Sequence, residues 1–239
     1  MKNSEFTVIA LGGSLVVPHL SDAGGVNVPF LRKFRSFLLR ELKNGRKFIL
    51  VVGGGKTARM YVGRAAKVAK SSNEDLDWLG IHATRLNAHL LRTIFAKEAY
   101  PIVIDHDPAP EEAAVLKQKR ERLYLAGGWR PGHSTDHVAV MLAVKFSASD
   151  VIIAGDTAFV YDKDPKKFKG ARPIPELSWK EYQKLIPKKW TPGLSSPVDP
   201  SASRLAQEMG IRAKIVDGSV LKNLQRAVEG KPFEGTVIQ

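Results

Sequence analysis

Three short apolar runs in this chain end in glycine. Phe6 to Leu11 leads into Gly12-Gly13-Ser14, residues 48–52 into Gly53-Gly54-Gly55, and Leu123 to Ala126 into Gly127-Gly128. Amphipathic stretches lie between them, such as Phe30, Phe34, Phe37, Leu38 and Leu42, which recur at helical spacing. Strands and helices alternating over the whole length predict a three-layer α/β/α sandwich with a mainly parallel sheet. Open sheets of this kind bind ligands beyond the carboxyl ends of their strands. The turns at Gly12, Gly53 and Gly127 are therefore expected along one edge, forming one site.

The rest of the pattern predicts helices over residues 29–45, 56–69, 75–99, 111–120, 135–146, 179–185, 201–209 and 220–228. It predicts further strands at 101–105, 151–154, 213–216 and 236–238. Residues 173–200 carry six prolines and read as loop-rich around one short helix. At 239 residues the chain is long enough for one large domain or two small ones. It has no cysteine, which excludes disulfides, thiolate zinc sites and cysteine nucleophiles. Its apolar runs are far shorter than the roughly 20 residues a membrane span needs. The first residues do not resemble a signal peptide, so a soluble, cytoplasmic protein is expected.

Lys plus Arg number 37 against 24 Asp plus Glu, a net charge of +13. That balance fits an anionic small substrate or a nucleic acid, and charge alone separates neither. The basic residues are dispersed, without a basic tail or a zinc-finger spacing. A solvated basic surface accounts for most of them.

Gly53-Gly54-Gly55-Lys56-Thr57 looks like a phosphate-binding P-loop but has Leu50 where that motif needs glycine. Gly53, Gly55 and Ala58 also fit a dinucleotide fingerprint. The acidic residues at the right distance, Asp75 and Asp77, stand at the start of a helix rather than the end of a strand. What remains is general: a strand, a glycine turn and a helix start present free backbone N–H groups to an anion. Arg59, one turn in, could grip a phosphate with two N–H groups. The plain reading is a tight turn beside a surface arginine.

The stretch from Gly127 to Asp136 is turn-rich, and Ser134 or Thr135 can cap the helix that follows. A ligand-binding loop is the sharper reading. His133 and His137 have the spacing of a metal pair but no evident third ligand.

Taken in order, Gly12-Gly13-Ser14, Val51-Val52-Gly53-Gly54-Gly55-Lys56-x-Ala58-Arg59, Asp77-x-x-Gly80-Ile81 and Thr84-Arg85-x-Asn87-Ala88 form a recognisable series. It continues through Gly127-Gly128-x-x-Pro131-Gly132-His133-Ser134-Thr135-Asp136, Tyr161-x-x-Asp164-Pro165, Val198-Asp199-Pro200 and Gly235-Thr236-x-Ile238. This series resembles uridylate kinases of the archaeal type, in the amino acid kinase superfamily, from about Phe6 to Ile238. The resemblance implies one amino-acid-kinase-type domain over 1–239, with an acceptor half near 1–145 and an ATP half near 146–239. It implies a hexamer and transfer of the γ-phosphoryl of ATP to UMP with Mg²⁺. By resemblance, Gly54 and Asp77 hold UMP, and Trp129, Arg130, Pro131, Gly132, His133, Ser134 and Thr135 surround it. Gly12, Gly13, Ser14, Gly55 and Arg59 would line the transferring phosphates, and Tyr161 and Asp164 would hold the ATP nucleoside. Arg59, Asp199, Thr135 and Ser14 would carry the catalytic step.

Two departures stand out. Ala10 replaces the lysine many superfamily members carry before the first glycine turn. Gly155, Ala158 and Phe159 replace the usual Thr, Asp and Gly of the donor loop, so the acceptor side keeps the pattern better. Lys163, Lys166 or Arg130 are candidates to restore charge there. Three alternatives stay open: a nucleotide-binding or storage-type protein of this fold without turnover, a kinase for another small acceptor, and a nucleic-acid binder.

Overall fold

Successive residues of a strand face opposite ways, and in the first strand both faces are apolar. Val8 and Ala10 enter one apolar cluster, while Ile9 and Leu11 enter another. A strand that is apolar on both faces must be covered on both, as in a buried parallel sheet. The computed structural model describes residues 5–20, 25–165, 167–189 and 196–239. Expectations touching residues 1–4, Gly24, Lys166 and 190–195 lie outside these.

The strands are β1 (Phe6–Leu11), β2 (Lys47–Val52), β3 (Leu123–Ala126), β4 (Asp150–Gly155), β5 (Val160–Tyr161), β6 (Pro173–Ile174), β7 (Glu176–Leu177), β8 (Arg212–Asp217) and β9 (Thr236–Ile238). Seven of them form one sheet in the order β3-β2-β1-β4-β8-β9-β7. β3, β2, β1, β4 and β8 run parallel, and β9 turns antiparallel against β8. β5 and β6 pair separately as an antiparallel hairpin.

The helices are α1 (Gly13–Val16), α2 (Val28–Lys43), α3 (Gly55–Val68), α4 (Asn73–Ile94), α5 (Pro110–Gln118), α6 (Thr135–Lys145), α7 (Trp179–Leu185), α8 (Pro200–Met209) and α9 (Leu221–Val228). Leu15, Phe34, Leu91 and Leu224 bring α1, α2, α4 and α9 onto one face of the sheet. Leu142, Tyr182 and Ala206 bring α6, α7 and α8 onto the other. The result is the expected α/β/α sandwich. Several helices start where their sequence says. Asn27 accepts the Phe30 N–H ahead of α2, Ser72 the Asp75 N–H ahead of α4, and Ser134 the His137 N–H ahead of α6. No described helix is long and apolar enough to cross a membrane.

The strand expected at 101–105 does not form. Pro101 has no N–H to give a ladder, and Ile102 is exposed. Only Ile104 bridges to Ala126, with its N–H on the Leu125 carbonyl at 2.9 Å. The helix expected over 75–99 starts earlier and stops at Ile94, where Phe95 caps it. The hairpin β5–β6, the strand β7 and the short helix α1 carry no periodic signal in the sequence.

Candidate active site

The turn after β1 and the turn after β2 touch. A Cβ on Gly13 would lie 2.1 Å from the Gly55 nitrogen and 2.5 Å from the Gly53 carbonyl, far inside van der Waals contact. Gly55 itself has φ +62°, a conformation side chains disfavour. The two turns can meet only because neither carries a side chain. Their meeting places Gly12, Gly13, Ser14, Gly53, Gly54 and Gly55 on the wall of one cleft of about 680 Å³. Gly128 joins from the turn after β3. The expected convergence of the glycine turns at one sheet edge is present.

The first turns of α3 and α6 open at this cleft through Gly55 and Thr135. Helix starts carry N–H groups without intrahelical partners, and these suit anions. Arg59 lines the cleft one turn into α3. Among the described Lys and Arg residues, only Arg59 and Lys163 line it.

α4 supplies the next wall. Asp77, Ile81, Thr84, Ala88 and Leu91 are all buried and follow one helical stripe. Asp77 is 8% exposed and accepts the Gly132 N–H at 2.7 Å. Burial raises its pKa above the ordinary carboxylate value, and that N–H opposes the rise. Asn87 donates to the Gly53 carbonyl at 2.8 Å, and the Thr84 hydroxyl accepts the Gly128 N–H at 2.6 Å. One helix thus carries a carboxylate and holds two of the glycine turns.

The opposite wall centres on Asp199, which is 4% exposed. Its Oδ1 accepts the N–H groups of Ser201 at 2.7 Å and Ala202 at 3.1 Å, capping α8. Its Oδ2 accepts the Ser134 hydroxyl, so it also fixes the start of α6. The Tyr182 hydroxyl bonds both the N–H and the carbonyl of Val198 at 2.7 Å and holds this corner. Asp136 accepts the Asp199 backbone N–H, which lowers its pKa, but burial first and the Asp199 charge second raise it to about 8. His133 and His137 lie side by side, their rings tilted by 37° with centroids 4.2 Å apart. Burial first, then the neighbouring His137 and Arg130, lower His133 to about 4, and burial lowers His137 as well, so both are neutral at pH 7.

The raised pKa of Asp136 makes stability depend on pH. The folded chain keeps a proton that the unfolded chain releases near pH 3.8. Stability from this group is complete below that pH and declines as pH rises to about 8. Asp136→Asn keeps an acceptor for the Asp199 N–H without a charge. It is expected to remove the decline and to add about 1–3 kcal/mol at pH 8. Urea unfolding at pH 5 and pH 8 measures this. An unchanged pH slope would contradict it.

Most of the site residues expected from the sequence reach the cleft. Gly12, Gly13, Ser14, Gly54, Gly55, Arg59, Asp77, His133, Ser134, Thr135, Tyr161, Asp164 and Asp199 line it. Trp129 does not: it is 5% exposed in the core, its ring N–H directed at the Ile104 carbonyl 3.4 Å away. Arg130, Pro131 and Gly132 also lie outside the lining, with Arg130 exposed. Of the departures, Ala10, Gly155 and Phe159 line the cleft. Phe159 stands edge-on to Tyr161, centroids 6.4 Å apart. The residues that sequence reasoning gives no role are Thr84, Arg85 and Asn87, although their motif is visible, and Asp136.

A parallel sheet that gathers glycine turns, helix starts and a buried carboxylate at one edge defines an α/β protein built to hold phosphorylated ligands. The chain belongs to the amino acid kinase family, whose description matches residues 5–217. It is 33% identical over 234 residues to the uridylate kinase of Pyrococcus abyssi, covering 97% of this chain and 98% of that one. It is 34% identical to the uridylate kinase of Methanothrix thermoacetophila, with the same coverage. The crystal structure of uridylate kinase from Archaeoglobus fulgidus superposes with a TM-score of 0.78 at 30% identity, covering 98% of this chain and 99% of that one. The UMP kinase of Bacillus anthracis, at 19% identity and a TM-score of 0.80, shares the fold.

Proposed function

We propose that this chain is an ATP:UMP phosphotransferase that makes UDP and ADP. The observation that carries the reading is near-full-length similarity to uridylate kinases, with the matching motifs meeting at one cleft. Phosphoryl transfer asks the protein for alignment and charge neutralisation rather than covalent chemistry. Residues 1–145 are assigned to the acceptor and 146–239 to the donor. Asp77 accepts the ribose hydroxyls of UMP beside Gly54, and the loop from His133 to Thr135 encloses its other end. Tyr161 and Asp164 hold the ATP nucleoside. The phosphoryl group crosses between the touching turns of Gly12–Ser14 and Gly53–Gly55, with Arg59 and the helix starts countering its charge. Lys163 is the other described cation on the wall and a candidate to restore charge at the altered donor loop.

Among the described residues no cluster of three His, Asp or Glu side chains is arranged to hold a metal. Magnesium commonly rides on phosphate oxygens and water with only one or two carboxylates, so it needs no all-protein cage. Mg²⁺ arriving with ATP would supply charge neutralisation at the phosphates. A homo-oligomer, a hexamer by resemblance, is part of the reading. In its favour, α3 buries none of its residues within the chain, and Tyr61, Val68 and Leu86 are exposed on α3 and α4. A cytoplasmic location is proposed, and nucleic acid is not proposed as a partner.

Asp77→Asn tests the acceptor assignment. Removing a charge-assisted hydrogen bond is expected to raise the KM for UMP about 10–100-fold and to leave the KM for ATP within about twofold. Equal changes in both would place Asp77 elsewhere in the reaction.

A further inference from the structure

The turns after β2 and β3 are tied to α4, and among the described residues one side chain of that helix, Arg85, donates hydrogen bonds to more than one other segment. Arg85 donates from Nε to the Gly128 carbonyl at 3.0 Å and from one terminal nitrogen to the Trp129 carbonyl at 3.0 Å. The same nitrogen reaches the Asp105 carbonyl at 2.8 Å, and the other lies 3.5 Å from the Asp105 carboxylate. Gly127 packs directly on this residue: a Cβ there would lie 3.1 Å from the Arg85 Cα, Cγ and nitrogen. Thr84 takes the Gly128 N–H, so residues 84 and 85 hold both polar groups of Gly128. Three residues after Trp129 the loop reaches Gly132, whose N–H is on Asp77.

We propose that Arg85 is the positioning residue of the acceptor loop, acting through the carbonyls of Gly128 and Trp129 and oriented by Asp105. A planar fork satisfies several carbonyls in fixed directions, which lysine cannot do. Fixing these two peptides sets the direction in which the chain leaves β3 and so where Gly132 to Thr135 stand relative to Asp77. The kinetic part of this inference rests on the UMP reading above; the loop-fixing part does not.

Arg85→Gln, Arg85→Lys and Asp105→Asn test it by two measurements. Hydrogen exchange without substrate is expected to quicken at least about 10-fold at Gly128 and Gly132 in Arg85→Gln, with β1 amides unchanged. Arg85→Lys should be intermediate and Asp105→Asn weaker. Kinetics should show a KM for UMP raised about 10-fold or more, the KM for ATP near wild type, and partial recovery with added guanidinium ion. Unchanged loop exchange, or equal quickening throughout the chain, overturns the inference. If Arg85→Gln does not fold, wild-type loop exchange in Arg85→Lys overturns it equally. If the wild-type protein forms no UDP while loop exchange responds as stated, the UMP reading fails and the clamp stands.

Discussion

Asp199→Ala is expected to lose about 3–5 kcal/mol of stability and at least about 100-fold in turnover. The carboxylate is nearly fully buried and accepts from Ser134, Ser201 and Ala202. It caps α8 directly and α6 through Ser134, and the loss of one cap costs about 1 kcal/mol. Buried hydrogen bonds to a charge add about 1.5–3 kcal/mol each, not fully additively. The variant also removes the like charge facing Asp136, whose pKa should fall from about 8. Asp199→Asn separates structure from chemistry, because its amide oxygen can still accept the two N–H groups that cap α8. It should keep most of the stability and still lose turnover. Thermal melts and kcat on both variants decide this; wild-type turnover in the asparagine variant would confine Asp199 to holding the two helices.

Gly13→Ala is expected to be as damaging for a steric reason. The added methyl would meet the Gly55 nitrogen at 2.1 Å and the Gly53 carbonyl at 2.5 Å, and both are backbone. No rotamer change relieves such a contact, so one turn must move. Overpacking of this sort costs about 1–3 kcal/mol and more where backbone must shift. The cleft wall lies in the same two turns, and misplacement by about 1 Å can cost 100-fold in rate. Turnover should fall at least that far, with a lowered melting temperature. A variant with normal melting and normal kcat would mean that the two turns are not held together as described.

The sheet and its ligand edge are legible in the sequence because their signals are local. Apolar runs set the strands, and glycines mark where they end, although the contacts that require those glycines come from other segments and show only in the structure. Asp77 is legible by resemblance and gains its physical basis from burial and the Gly132 N–H. The Arg85 clamp is not legible. Its spacing within Thr84-Arg85-x-Asn87 is plain, but its partners lie 43 and 44 residues away. Trp129 reads as a ligand residue because it sits inside a polar loop; the structure turns it inward under that loop, where it joins the core. Residues 101–105 look like a strand in apolar content, and the missing N–H of Pro101 and the sheet edge undo that. The hairpin of β5 and β6 pairs only two residues a side, too few for a periodic signal.

The donor loop departs from the pattern that the family resemblance implies, with Gly155 and Phe159 on the cleft wall. The most direct test of the proposed activity is therefore UDP formation from ATP and UMP with Mg²⁺, run beside CMP, AMP and no acceptor. UDP is expected with UMP, and little product with the others. UMP bound by the protein, with no UDP formed from ATP, would contradict the assignment.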